Sequence, residues 1–351
     1  MHTHPQNIAV FAAISAFTLS ALLTALVRRL CTNLGFVSKP ADSRWNRRSV
    51  ALGGGIAVQL SLLVVLAVFA PTRIPTLGVA SLIIFTLGIL DDVKGIMPRP
   101  KLTIEVLASI YVILNGYVIP TAYEPLSWLV TIIWITGVTN AFNLIDNMDG
   151  LCAGIATIAA FTLAILFSSG HNSAYPITSI TVLGAAVAGF LIHNRPPATI
   201  FLGDAGSLPI GFLIATLSTK VRTEMNLSPV TPIVILMVVI VPVFDMLLVM
   251  FSRTRAGKSI AQGGKDHSSH RLVELGFSER SAVWILYLFG AAGGTSAVLF
   301  AQEGSLLVAA GIPVFFFSLT LIFWVFLLHV PTRQSKQNSL MQRMAPGKAF
   351  P

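Results

Sequence analysis

Eleven times between Ile8 and Leu328 the chain enters an apolar run bounded by charge, proline or a polar cluster: 8–27, 51–70, 74–90, 102–119, 126–143, 151–168, 177–193, 205–219, 230–251, 282–300 and 306–328. Runs near the ~20 residues that cross a bilayer as a helix constrain the fold more than any motif. Inside hydrocarbon each segment must bond its own backbone amides, which a helix does and an open strand does not. The runs are too long for the strands of a barrel. Only 11% of the 351 residues are charged, against about a quarter in an ordinary soluble domain, which excludes a water-soluble globule. The expected fold is therefore all-α, a polytopic membrane bundle of about 11 transmembrane helices. It forms one domain over 1–330, followed by a polar tail at 331–351. The run at 205–219 is short and holds Pro209, which makes it the weakest of the set.

Net charge is +9, which in a soluble domain points to nucleic acid but in a membrane protein marks one leaflet. Placement decides. With the N-terminus outside and eleven spans, 20 of the 23 Lys and Arg residues fall on the cytosolic side, and Arg73, Lys220 and Arg222 alone fall opposite. Removing any one span scatters the basic loops over both faces, so the parity follows the positive-inside rule. No nucleic-acid partner is expected; the lipid bilayer is the partner surface, the cell (plasma) membrane the location, and the C-terminus cytosolic. The first run ends in Arg28 and Arg29 without a positive leader before it, as a retained helix does. Cys31 and Cys152 are too few for a disulfide framework and read as free thiols.

Asp91, Asp92, Asp146, Asp149 and Asp204 all stand at cytosolic ends of apolar runs. A carboxylate there is costly unless it is paired, bound to metal or facing water. Solvation of a helix end accounts for one such residue better than for five flanked by Gly and Asn. Asp91 and Asp92 close the third run, where the helix dipole disfavours an anion, so a cation is expected beside them. Neighbouring helical residues point about 100° apart, which divides the two between different roles. Lys94, Arg99 and Lys101 follow and suit an anionic headgroup at the membrane surface, or the ordinary basic excess of an inner loop. Asn140, Asn143, Asp146 and Asp149 recur every third residue and, if helical, form one drifting polar stripe. Asp204, between two glycines just before a run, suits a cation that bridges phosphate. Mg²⁺ fits best, since it takes one or two carboxylates and completes its shell with phosphate and water; Mn²⁺ is the alternative.

The segment 252–281 carries Arg253, Arg255, Lys258, Lys265, His267, His270 and Arg271. His267 and His270 lack further His or Cys at zinc spacing. Hydrogen bonding to a sugar or diphosphate is the preferred role, with Lys265 and Arg271 as anion partners. Only Glu105 and Asp245 lie plainly inside runs, and they are assigned to packing or to a pocket floor.

Four ordered motifs, L-D-D at 90–92, N-A-F-N-L-I-D-N-M-D-G at 140–150, F-L-G-D-A-G-S at 201–207 and D-H-S-S-H-R-L at 266–272, together resemble the polyprenyl-phosphate N-acetylhexosamine-1-phosphate transferase superfamily over about Gly35 to Arg280. That resemblance implies an eleven-span enzyme with its active site on the cytosolic face. The enzyme would move N-acetylhexosamine-1-phosphate from a UDP-sugar to undecaprenyl or another polyprenyl phosphate and release UMP. It implies Mg²⁺ on Asp204, with Asp91 and Asp92 next to the metal and the lipid phosphate and Lys101 as a basic residue after the pair. For the reaction so implied, Asp91 is assigned as proton acceptor with Asp92 as the alternative, and Arg99 is placed with Lys101 at the lipid phosphate. The nucleotide-sugar pocket would draw on Asn143, Asp146, Asp149, Asn194, Phe201, Lys265, His267, His270 and Arg271. Ser268 and Ser269 replace the apolar residue and further His of many members, and Ser38 and Asn46 an Asp and a His. H-S-S-H-R-L is nearer the GlcNAc-type pattern than that of the phospho-MurNAc-pentapeptide translocase, which points to UDP-GlcNAc. From another class, a cation-coupled transporter would need charges near the bilayer midplane at broken helices. Homodimerisation is left open.

Overall fold

The computed structural model of the chain describes residues 5–38, 49–71, 74–169, 174–221, 230–259, 264–302 and 306–331. Asp42, Asn46, Arg73, Arg222 and the tail beyond 331 lie outside these described residues.

Every one of the eleven apolar runs falls on helix. In chain order these are α1 (Pro5–Asn33), α2 (Gly54–Phe69), α3 (Ile74–Lys94), α4 (Pro98–Leu114), α5 (Glu124–Ile145), α6 (Leu151–Ser168), α7 (Ala174–Asn194), α8 (Asp204–Ser218), α9 (Thr231–Val238), α10 (Ile240–Arg255), α11 (Ser268–Glu274), α12 (Glu279–Gln302) and α13 (Leu306–Leu328). Seven are long and apolar enough to cross a membrane, or eight when α9 and α10, bent 81° apart, count as one span; α2 and α8 are shorter apolar helices. The chain is a multi-pass helical membrane bundle. The bend has a local cause: Pro242 lacks the N–H that would bond back to Val238.

The bundle is apolar both inside and on its outer surface. α8 is buried from Ala205 to Ser218 without interruption and packs on α2, α3, α5 and α6, so the least secure of the apolar runs forms the centre of the bundle. Its Pro209 is tolerated because neighbouring helices enclose it. Outer helices instead present large apolar side chains outward, such as Phe11, Ile133, Leu288, Phe315 and Ile322. On a soluble protein that surface would be a liability; in a bilayer it faces lipid.

One feature had no sequence signal. β1 (Val37–Ser38) pairs antiparallel with β2 (Val50–Leu52), and β2 pairs parallel with β3 (Ile200–Phe201), with Ala51 opposite Ile200 and Leu52 opposite Phe201. This ribbon ties the segment before α2 to the turn before α8. Gly55 N–H then donates to Leu202 O at 3.0 Å, which fixes where Asp204 emerges.

Candidate active site

The C-terminal end of α3 and the N-terminal end of α8 meet, and the paired aspartates join them. Asp92 accepts the N–H of Asp204 on Oδ1 at 2.9 Å and that of Ala205 on Oδ2 at 3.0 Å. Those two amides belong to the first turn of α8, which its own chain leaves uncapped, so a carboxylate from another helix satisfies them and meets the positive end of the dipole. Gly203 has φ 71°, and a Cβ there would run into the Asp92 carboxylate. A Cβ at Gly88 would overlap the Asp204 carbonyl. The F-L-G-D-A-G turn therefore needs its glycine to seat α8 against Asp92.

Asp91 points elsewhere. Its Oδ1 accepts Ile96 N–H at 2.6 Å, and its Oδ2 accepts Lys101 Nζ at 2.7 Å. The same ammonium donates to Asp204 Oδ2 at 2.6 Å and lies 3.4 Å from Asn143 Oδ1. Lys101 thus occupies the cationic position expected beside the aspartate pair and links α3, α4, α5 and α8. Asn143 completes the link by donating to Ser207 Oγ at 3.0 Å. One turn deeper, Asn140 donates to buried Glu105 Oε2, whose Oε1 has no hydrogen-bond partner among the described residues.

The polar stripe is helical only in part. α5 ends at Ile145 and Asp146 is its C-cap, so Asn140 and Asn143 share a helix face while Asp149 follows a tight turn. Asp149 accepts Ala198 N–H at 2.8 Å. The half-buried Asp146 carboxylate has no hydrogen bond among the described residues. Burial first, then the charges of Asp204, Asp92 and Asp149, push its pKa up to about 8. Such a group is relieved by a cation.

Several residues expected at the ligand also hold parts of the protein together. Asn194 accepts Gly150 N–H at 3.0 Å and donates to Ile200 O at 2.9 Å, joining α7 to the α5–α6 turn and β3. Phe201 sits half-exposed in β3. Arg271 is buried, donating to Leu327 O at 2.9 Å, Val330 O at 3.0 Å, Asp266 O at 3.0 Å and Ser252 Oγ at 2.6 Å, which satisfies open carbonyls at the end of α13. His267 Nδ1 lies 2.7 Å from Asp245 Oδ2, while Asp245 Oδ1 accepts both the N–H and the hydroxyl of Ser268 at 2.6 Å. His270 is buried beside His267, ring centroids 5.3 Å apart. Lys265 is half-buried, and Arg99 is exposed at the start of α4, outside the cluster. Ser269 Oγ donates to Asn147 Oδ1 at 2.6 Å, which docks the histidine segment on the turn bearing Asp146 and Asp149. All four motifs therefore converge. Asn140 lies on the expected polar stripe and Glu105 at the pocket floor that was one of its two assigned roles, whereas Ser207 was not foreseen as a member of the cluster, although it lies one turn from Asp204.

For the metal, the donor chemistry fits. Among the described residues no three His, Cys, Asp or Glu side chains form a ready cage, but Mg²⁺ needs only one or two carboxylates beside phosphate and water. Asp204 and the unpartnered Asp146 supply oxygen donors of that kind.

Residues 74–222, which span α3 to α8, match the sequence profile of glycosyl transferase family 4. A protein of Bacillus subtilis strain 168, described as a probable undecaprenyl-phosphate N-acetylglucosaminyl 1-phosphate transferase, is 33% identical over 293 residues, covering 79% of this chain and 81% of its own. The chain belongs to glycosyl transferase family 4. Within that family a decaprenyl-phosphate N-acetylglucosaminephosphotransferase of Mycobacterium tuberculosis is 30% identical over 345 residues, 85% of this chain and 84% of its own. An undecaprenyl-phosphate alpha-N-acetylglucosaminyl 1-phosphate transferase of Escherichia coli K12 is 25% identical over 304 residues, 82% of each. These relatives are thus described as polyprenyl-phosphate GlcNAc-1-phosphate transferases, and the matched segment carries Asp91, Lys101, Asp146 and Asp204.

Proposed function

We infer that this family member transfers GlcNAc-1-phosphate from UDP-GlcNAc to undecaprenyl phosphate at the cytosolic face of the cell membrane. The observation that carries the reading is the Lys101 bridge between Asp91 and Asp204, held beside unpartnered Asp146: an acidic cluster at the end of apolar helices, with its cation already among it. The relatives' substrates and the H-S-S-H-R-L pattern support the choice of sugar, and the basic excess on the same side supports the cytosolic face.

An oxygen of the lipid phosphate attacks the β-phosphorus of UDP-GlcNAc. The new P–O bond forms as the bond from the β-phosphorus to the oxygen shared with the α-phosphate breaks, and UMP leaves with that oxygen. Two anions must meet, so neutralisation is the main requirement. Lys101 holds the incoming phosphate, and Asp91 orients it and takes up its proton. Asp92, with both oxygens occupied by α8 amides, fixes the position of Asp204 and serves the metal indirectly. Asp204 and Asp146 are the residues that would hold Mg²⁺. Bound there, it would supply positive charge to offset the diphosphate. Asp149, Asn194 and Phe201 shape the nucleotide end, and His267 and His270 the side facing the diphosphate.

Asp204→Asn in purified protein is expected to abolish Mg²⁺-dependent UMP release from UDP-GlcNAc and undecaprenyl phosphate. Turnover near that of the wild type would remove Asp204 from the metal site. Parallel assays with UDP-GalNAc and UDP-MurNAc-pentapeptide test the sugar, and preference for the latter would make the chain a translocase of peptidoglycan synthesis.

A further inference from the structure

A cavity of about 390 Å³ opens where the C-terminal ends of α10 and α13 meet, and none of the five site aspartates lines it. Four cationic side chains do: Arg253, Arg255, Lys258 and Arg271, against the single acid Asp266. Two of the four are internally occupied. Arg253 forms a two-pronged pair with Asp266, with Nε and Nη2 each 2.8 Å from a carboxylate oxygen, and Arg271 is taken up by carbonyls and Ser252. Arg255 and Lys258 have no side-chain acceptor among the described residues. Arg253 and Arg271 already satisfy Asp266 and the carbonyls ending α13, so among the described residues Arg255 and Lys258 are the cations left to face a ligand in this cavity.

The remaining walls are apolar. Phe251 and Leu328 line the opening, and Phe251 meets Trp324 edge to face, ring centroids 5.2 Å apart. α13 is apolar enough to span the membrane over Ala310–Leu328, so the cavity sits where a span ends and an aromatic pair marks the interface. A cationic floor with an apolar, aromatic lip at that depth matches a phosphodiester with acyl chains below it. A phosphate in free solution would use only the floor.

We propose that this cavity binds the headgroup phosphate of an anionic membrane lipid, with Arg255 and Lys258 as its charge partners. None of the five site aspartates lines the cavity, and its lipid is read without reference to the transferase substrates, so the proposal stands or falls independently of the proposed reaction. The full-length protein in zwitterionic micelles, titrated with phosphatidylglycerol and followed by native mass spectrometry, is expected to retain the lipid. The R255E/K258E double variant is expected to weaken retention roughly tenfold or more, and R28E/R29E, which makes the same charge change at the end of α1, to leave it unchanged. If the reversal variant does not fold, R255Q/K258Q gives the same comparison with a smaller loss. Equal losses in the α1 control would reduce the effect to a general surface field and overturn the proposal. Displacement by millimolar inorganic phosphate would make it a free-anion site, and displacement by UDP-GlcNAc would make it part of the transferase centre; either result overturns it. Retention unchanged in every variant does the same.

Discussion

Lys101 is the residue on which the site's electrostatics turn. Its side chain is 12% exposed, and its partners Asp91 and Asp204 are 14% and 30% exposed, so the pairs are screened less than a surface bridge but not fully desolvated. Lys101→Met leaves two carboxylates facing one another. Thermal unfolding without divalent ions should show a loss of about 1–3 kcal/mol, and Mg²⁺ should restore more stability to the variant than it adds to the wild type, because a second cation can take the vacated place. An unchanged midpoint would mean the bridge is not formed. His270 gives a separate test. Burial, then neighbouring His267, pull its pKa down to about 3, with Asp245 and Asp266 opposing and Lys265 adding. The folded protein keeps this imidazole neutral while the unfolded chain protonates near 6.5, so the stabilisation is full above that pH and shrinks as pH falls. Between pH 7.5 and 5.5 the wild type should lose more in unfolding midpoint than His270→Gln; equal losses would place the effect on other groups. The motifs were legible in the sequence at this scale, but not whether a polar group serves a ligand or the backbone. Asn194, Arg271 and Asp92 look the same on paper in either role, and only the fold shows their hydrogen bonds filled from within.

Among the elements, α8 depended most on information absent from its own segment. Its run is short and interrupted by Pro209, yet it is buried throughout, because the helices around it supply both the packing and, through Asp92, the cap. Apolar length and bounding charge made the other long apolar helices readable, but not the short α11, which lies in a segment read as a loop; no local pattern announces strands of two or three residues paired between Ala51 and Ile200, since their register comes from distant chain. The segment 230–251 reads as a single run, and the 81° angle at which Pro242 lets it break is set by tertiary packing. The glycine before α8 shows how tightly this element is seated. Gly203→Ala must place a Cβ at φ 71° and against the Asp92 carboxylate. The left-handed backbone costs about 1–2 kcal/mol and a displaced cap about 1 more, so the unfolding midpoint and UMP release should fall together. Gly137→Ala, in α5 where a Cβ meets nothing within 4 Å, should be neutral or slightly stabilising. Equal behaviour of the two variants would contradict the assigned seating.

For the whole molecule, the bundle has two ends that hydrogen bonds identify without reference to a membrane. At one, Asp149 reaches Ala198, Arg280 donates to Pro196 O at 3.2 Å and Ser269 reaches Asn147. At the other, Lys220 Nζ donates to Gly116 O at 2.7 Å and lies over the Tyr117 ring, and Gln302 reaches Ser169. The acidic cluster, the histidine segment and the cavity residues Arg255 and Lys258 belong with the first end. Most basic residues do as well, and since Lys and Arg are retained on the cytosolic side, that end should face the cytosol. The structure orders the ends, whereas the membrane assigns them sides, so the side needs its own measurement. Cys31 and Cys152 are buried and should give little background to a membrane-impermeant maleimide. In intact cells, cysteine introduced at Glu124, exposed at the start of α5, should label. Cysteine at Arg99 or Ser278, both exposed near the acidic end, should label only after the membrane is opened. Labelling of Arg99 and Ser278 from opposite sides would break the convergence of motifs on which the transferase reading rests. Labelling of both from outside would keep the site intact but place its UDP-sugar in a compartment where charge distribution argues against it.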